Sequence, residues 1–90
     1  MKLIGEFEIV FTKQAMNDIK YLKESNLDKK AKSILEIIRH DPFKKPPPFK
    51  KLIGDLDGLY SRRLNIQHRI VYSVNKKDKY IKIVRMWKHY

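Results

Sequence analysis

The sequence predicts an α+β domain: an N-terminal strand, a helical hairpin, then a three-stranded antiparallel C-terminal segment, all forming one twisted sheet. Three observations predict it. Apolar residues recur at helical spacing between residues 13 and 40, and they alternate with polar ones in three runs after residue 59. Between these regions lies "DPFKKPPPFKK", which holds all four prolines and can be neither helix interior nor central strand.

"FEIVF" (7–11) reads as the first strand. Thr12 then caps a helix over about residues 13–25, with Ala15, Ile19 and Leu22 on one face. "SNLD" breaks it, and Asp28 is the next N-cap. A second helix over about 29–40 sets Ala31, Ile34, Leu35 and Ile38 on one stripe, and so tight a connection packs the two helices antiparallel. The proline segment is a stiff cationic connector, and "GDLDG" is a turn. Strands follow at 59–66, 68–74 and 80–87, the last two joined by the turn "NKKD" at 75–78. No repeat or low-complexity tract interrupts them, so residues 1–90 form a single domain.

Composition narrows the function. The chain has no cysteine, which excludes disulfides and thiolate metal sites and fits a reducing compartment. The first ten residues carry Glu6 and Glu8 inside their apolar stretch, unlike a secretory signal, and no apolar run nears the ~20 residues of a membrane span. A cytoplasmic protein with no membrane partner is the expectation. The net charge of +11 is uneven: residues 1–45 carry +3 and residues 46–90 carry +8, with no glutamate after Glu36. Such a field favours a polyanion, the bland alternative being a generally basic, soluble surface.

Alternation then sorts the late strands. Tyr60, Arg62, Leu64 and Ile66 share one face and Ser61, Arg63 and Asn65 the other; His68, Ile70, Tyr72 and Val74 oppose Arg69, Val71 and Ser73. A face with arginines and aromatic rings can hold phosphate and stack bases. An amphipathic sheet with arginines turned into solvent has the same spacing, and the two readings stand level. His40, His68 and His89 are scattered without paired acids, so no metal site or other cofactor is expected; the three glycines form no phosphate loop, and no serine sits in a nucleophile elbow. Cleavage of RNA by its own 2′-hydroxyl needs only a base, a cation over the phosphate and an acid for the leaving 5′-oxygen. In the closing "MWKHY", His89 can be that acid near neutral pH, the neighbouring terminal carboxylate helping to keep it protonated.

"LYSRRLNIQHRIVYSV" followed by "MWKHY", with "PPPFKKLIGDLDG" before them, resembles the YoeB/Txe branch of the RelE/ParE superfamily of bacterial toxins. The likeness spans nearly the whole chain and is most specific over residues 46–90. It implies a small RelE-like, ribonuclease-like fold: the toxin of a type II toxin–antitoxin system, an endoribonuclease that cuts mRNA in the ribosomal A site and inhibits translation. The partners it implies are ribosome, mRNA and a cognate YefM/Axe-type antitoxin, whose acidic segment wraps the toxin; a homodimer is left open. Carried over residue by residue, Arg69 stabilises the scissile phosphate, His89 is the general acid, Tyr90 stacks on or orients the nucleotide, and Arg63 supports phosphate binding. Lys51 and Arg62 complete the RNA-binding block, although Arg62 points away from Arg63 and toward solvent. Trp87 is expected to pack on the sheet, and His68, facing opposite Arg69, to be structural or orienting.

One position departs from the family. The general base is typically a glutamate just before the "KL-x-G-D-L" stretch, and counting back from Gly58 that place is Lys50. No carboxylate occurs between Asp41 and Asp55. Three accounts stand: Lys50 is base or electrostatic stabiliser, the chain is a weakened natural variant, or an engineered glutamate-to-lysine change has disarmed it. Under the last two, the chain is a catalytically weakened or inactive RNA-, ribosome- and antitoxin-binding domain.

Overall fold

A computed structural model describes residues 6–86. The elements run β1 (Glu8–Phe11), α1 (Lys13–Glu24), α2 (Asp28–His40), β2 (Phe49–Lys51), a short 3₁₀ turn (Gly54–Leu56), β3 (Leu59–Arg63), β4 (Arg69–Asn75) and β5 (Tyr80–Arg85). The five strands form one sheet in the order β1-β5-β4-β3-β2, with β1 parallel to β5 and every other pair antiparallel.

Local chemistry explains the helix ends. The Thr12 hydroxyl accepts the Ala15 N–H at 3.1 Å, capping α1, and donates to the Val84 carbonyl at 2.9 Å, tying the helix start to β5. Asp28 opens α2 from inside the first turn, where its charge suits the positive helix end, while Leu27 takes the cap position without a side-chain bond. The expectation of Asp28 as N-cap is off by one residue.

The proline connector holds a larger difference. Phe49–Lys51, expected as plain linker, pairs with β3 as an edge strand, Lys50 opposite Ser61. An edge strand bonds on one side only, so three proline-free residues after Pro48 suffice. The late segment therefore holds four antiparallel strands, and β1 joins them in a five-stranded mixed sheet. β3 also stops at Arg63, short of the expected residue 66. Asn65 ends it, its side-chain oxygen accepting the N–H groups of Gln67 at 2.9 Å and His68 at 2.7 Å. The expected 75–78 turn is present, with Asn75 Oδ1 accepting the Asp78 N–H at 2.8 Å.

Both helices cover one face of the sheet. Ala15, Leu22, Ala31, Ile34 and Ile38 pack there on Ile70, Tyr72, Ile81 and Ile83, forming the core. The register sends Lys50, Ser61, Arg63 and Arg69 to the opposite face, since Lys50 pairs with Ser61 and Arg63 with Arg69.

Candidate functional site

The helix-free face of β2, β3 and β4 carries a cleft of about 240 Å³, lined by Pro48, Phe49, Lys50, Ser61, Arg63 and Arg69. Three adjacent strands thus bring together three cations that lie up to 19 residues apart in the chain. Lys50 and Arg63 are exposed and Arg69 is half-buried. No carboxylate lines the cleft among the described residues. Ser61 is 3% exposed, and its hydroxyl oxygen has no hydrogen-bond partner among the described residues.

The five arginines divide by their partners. Arg39 is held by Glu6 and Glu36. Glu36 lies below the usual carboxylate range, chiefly because it accepts the Arg39 hydrogen bond. Arg85 donates to the buried carboxylate of Asp18, Nε to Oδ2 at 2.9 Å. Arg62 is fully buried. For Arg63 and Arg69, by contrast, no ion pair or side-chain hydrogen bond forms among the described residues. Cations without counter-charge among the described residues of one concave face are suited to an incoming anion. Two arginines and a lysine fit phosphate, the guanidinium planes offering paired N–H donors.

Two members of the predicted RNA-binding block do not join this cleft. Lys51 is exposed but takes the Phe49 and Tyr60 side of β2, one residue out of phase with Lys50. Arg62, expected in solvent and grouped with the RNA contacts, is turned into the protein. Its Nε donates to the Tyr72 hydroxyl at 3.0 Å, and its terminal nitrogens donate to the carbonyls of Pro42 and Pro47. Alternation correctly separated Arg62 from Arg63, but it could not show that the proline segment folds over Arg62's face and removes it from water. The candidates His89 and Tyr90, and Trp87 with them, lie outside the described residues.

Tyr72 is a residue the sequence reading left without a role. Its hydroxyl accepts from Arg62 and donates to the Pro42 carbonyl at 2.8 Å; burial pushes this phenol above its usual pKa, and the Arg62 hydrogen bond partly offsets that. Asp18 is the other. It is 2% exposed, on a helix face otherwise apolar, and a lone acid on such a stripe was the signal available.

Comparison with known proteins finds similarity in sequence and in fold. The family described as "YoeB-like toxin of bacterial type II toxin-antitoxin system" matches residues 11–90. A "Toxin YoeB" of Streptomyces coelicolor is 37% identical over 87 residues, covering 91% of this chain and 98% of that one. Two Staphylococcus aureus structures have a similar fold: a YoeB–YefM complex (TM-score 0.78, 38% identity, 93% and 98% of the two chains) and a YoeB dimer (TM-score 0.80, 35% identity, 94% and 99%).

Proposed function

The chain belongs to the YoeB-like toxins of bacterial type II toxin–antitoxin systems, and on that premise we propose that it is a metal-independent endoribonuclease acting on mRNA in the ribosomal A site. The observation that carries this reading is the convergence of Lys50, Arg63 and Arg69 on one cleft without a carboxylate among its described lining residues.

In the proposed reaction the 2′-oxygen adjoining the scissile bond attacks phosphorus as its proton passes to solvent water, since no carboxylate base lines the cleft among the described residues. The bond to the 5′-oxygen breaks, and that oxygen takes a proton, leaving a 2′,3′-cyclic phosphate and a 5′-hydroxyl end. Charge builds on the non-bridging oxygens as phosphorus becomes five-coordinate, so cations poised over them stabilise the transition state more than the ground state. In this reading Arg69 does this most strongly, its half-buried position, and so weaker screening, supporting the assignment. Arg63 and Lys50 hold the phosphate from β3 and the edge strand, Lys50 acting as a cation in the place where the family typically has its glutamate base. His89 is the general acid and Tyr90 the nucleotide-stacking ring in this reading. A YefM/Axe-type antitoxin neutralises the protein by laying carboxylates over the same cations in the cytoplasm. Self-association into a dimer accompanies this reading, in line with the Staphylococcus aureus YoeB dimer.

That no carboxylate stands among the described lining residues also favours a second reading, an RNA-, ribosome- and antitoxin-binding domain that does not cut. Mapping mRNA ends after incubation with programmed ribosomes separates the two. New fragments with 5′-hydroxyl ends are the expected result; intact mRNA on ribosomes that retain the protein supports the second reading.

A further inference from the structure

Arg62 is a guanidinium buried to 0% exposure, and among the described residues no carboxylate accompanies it. Burying an unpaired charge is costly unless its donors are satisfied. Here they are satisfied by the Tyr72 hydroxyl at 3.0 Å and by two backbone carbonyls, Pro42 at 2.9 Å and Pro47. Both carbonyls belong to the proline connector. Tyr72 reinforces the link, donating to the same Pro42 carbonyl at 2.8 Å. The Phe49 ring lies 5.2 Å from the guanidinium carbon, adding a cation–π contact from the residue just before Lys50. Phe43 and Tyr60 complete an aromatic cluster with Phe49, with centroids 5.1 to 5.9 Å apart.

The connector held in this way forms one wall of the cleft, Pro48, Phe49 and Lys50, facing Arg63 and Arg69. β2 itself is only three residues long, too short to fix that wall by strand pairing alone.

We infer that Arg62, with Tyr72, is a positioning residue: it grips the proline connector by its carbonyls and so sets Lys50 against Arg63 and Arg69, giving the cleft the spacing of an RNA phosphate. This rests on the reading of the cleft as the RNA site. Arg62 touches no substrate. It acts through Lys50, so its loss spaces the cations wrongly without removing any of them. A lysine at this position keeps the charge but lacks the planar fork that reaches three acceptors at once.

A double-mutant cycle tests this, using the full chain and a single-stranded RNA oligonucleotide as probe. The variants are Tyr72→Phe, Arg62→Lys, Lys50→Gln and each of the first two combined with Lys50→Gln. Tyr72→Phe keeps the ring and takes only the Nε acceptor from Arg62, leaving both carbonyl acceptors in place, so it should remain folded even where Arg62→Lys does not. It is expected to weaken RNA binding about tenfold, the scale of a lost hydrogen bond to a charged group. In the Lys50→Gln background the same change is expected to have little effect, because the residue it positions has gone. Amide exchange at Phe43, Lys44, Phe49 and Lys50 is expected to quicken in Tyr72→Phe while β4 and β5 stay protected. Additive losses, or unchanged exchange in the connector, would overturn the inference. If the parent chain has no affinity for RNA, the reading of the cleft fails instead, and the exchange measurement still decides whether Tyr72 and Arg62 hold the connector.

Discussion

Asp18, in the middle of α1, accepts a hydrogen bond from Arg85 Nε at 2.9 Å, and the same carboxylate oxygen accepts the Met86 backbone N–H at 3.0 Å. One buried acid thus clamps the helix to the end of β5 and ends the strand's ladder there. The chain leaves this clamp directly into the segment that carries His89 and Tyr90.

The clamp predicts a large cost for Asp18→Ala. That change strands the Arg85 guanidinium, itself about a fifth exposed, and leaves the Met86 N–H without its acceptor. Breaking one partner of a buried pair costs about 3–5 kcal/mol. Chemical denaturation should show a loss of that order, with Asp18→Asn falling between the two because it retains an acceptor.

A second prediction concerns alkaline pH. Burial holds the Tyr72 phenol above its ordinary 10.0, so the folded state keeps its proton after an unfolded chain has lost it. The stabilisation from Tyr72 is therefore fully present below that ordinary value and is lost as pH rises through the higher folded-state pKa. Absorbance titration should find a tyrosine step above the ordinary phenol range, and Tyr72→Phe should remove that late step along with its part of the alkaline destabilisation.

A third concerns salt. Each cation that neutralises a phosphate on a single strand adds about 0.7 to the slope of log affinity against log salt. Arg63→Gln should lower both the affinity for RNA and that slope by about one cation's share, whatever the RNA sequence. Lys51→Gln, on the other face of β2, should leave the slope nearly unchanged.

These predictions rest on residues whose legibility in the sequence differed. The helices were readable because Ala31, Ile34 and Ile38 repeat at helical spacing and Thr12 is a strong cap. The pairing of β1 alongside β5 was not, since a four-residue strand carries no mark of its neighbour. β2 was hidden by prolines, which argue against central strands but tolerate an edge. In the cleft, Arg63 and Arg69 were nominated from a family pattern, and the β3–β4 register sets them directly opposite each other. Arg62 shows where alternation stops being informative. It assigns a face, while burial depends on what else folds over that face, here Pro42 and Pro47 from residues far along the chain.

A fourth prediction separates Lys50's two chemical roles. As an electrostatic stabiliser it should be replaceable by arginine with activity largely kept, and Lys50→Gln should lower the cleavage rate about 10²-fold, the scale of one transition-state donor. As a base, Lys50→Arg should be as inactive as Lys50→Gln. Single-turnover cleavage by the three proteins distinguishes these patterns.

In the proposed mechanism the cations of the cleft do the work on RNA, Arg69 above all. The most direct measurement is the single-turnover rate of mRNA cleavage on programmed ribosomes by the parent chain and by Arg69→Gln, each first shown to be folded by its thermal melt. On that mechanism the parent yields 5′-hydroxyl fragments and Arg69→Gln cuts about 10²–10³-fold more slowly. Equal rates from the two proteins would contradict it.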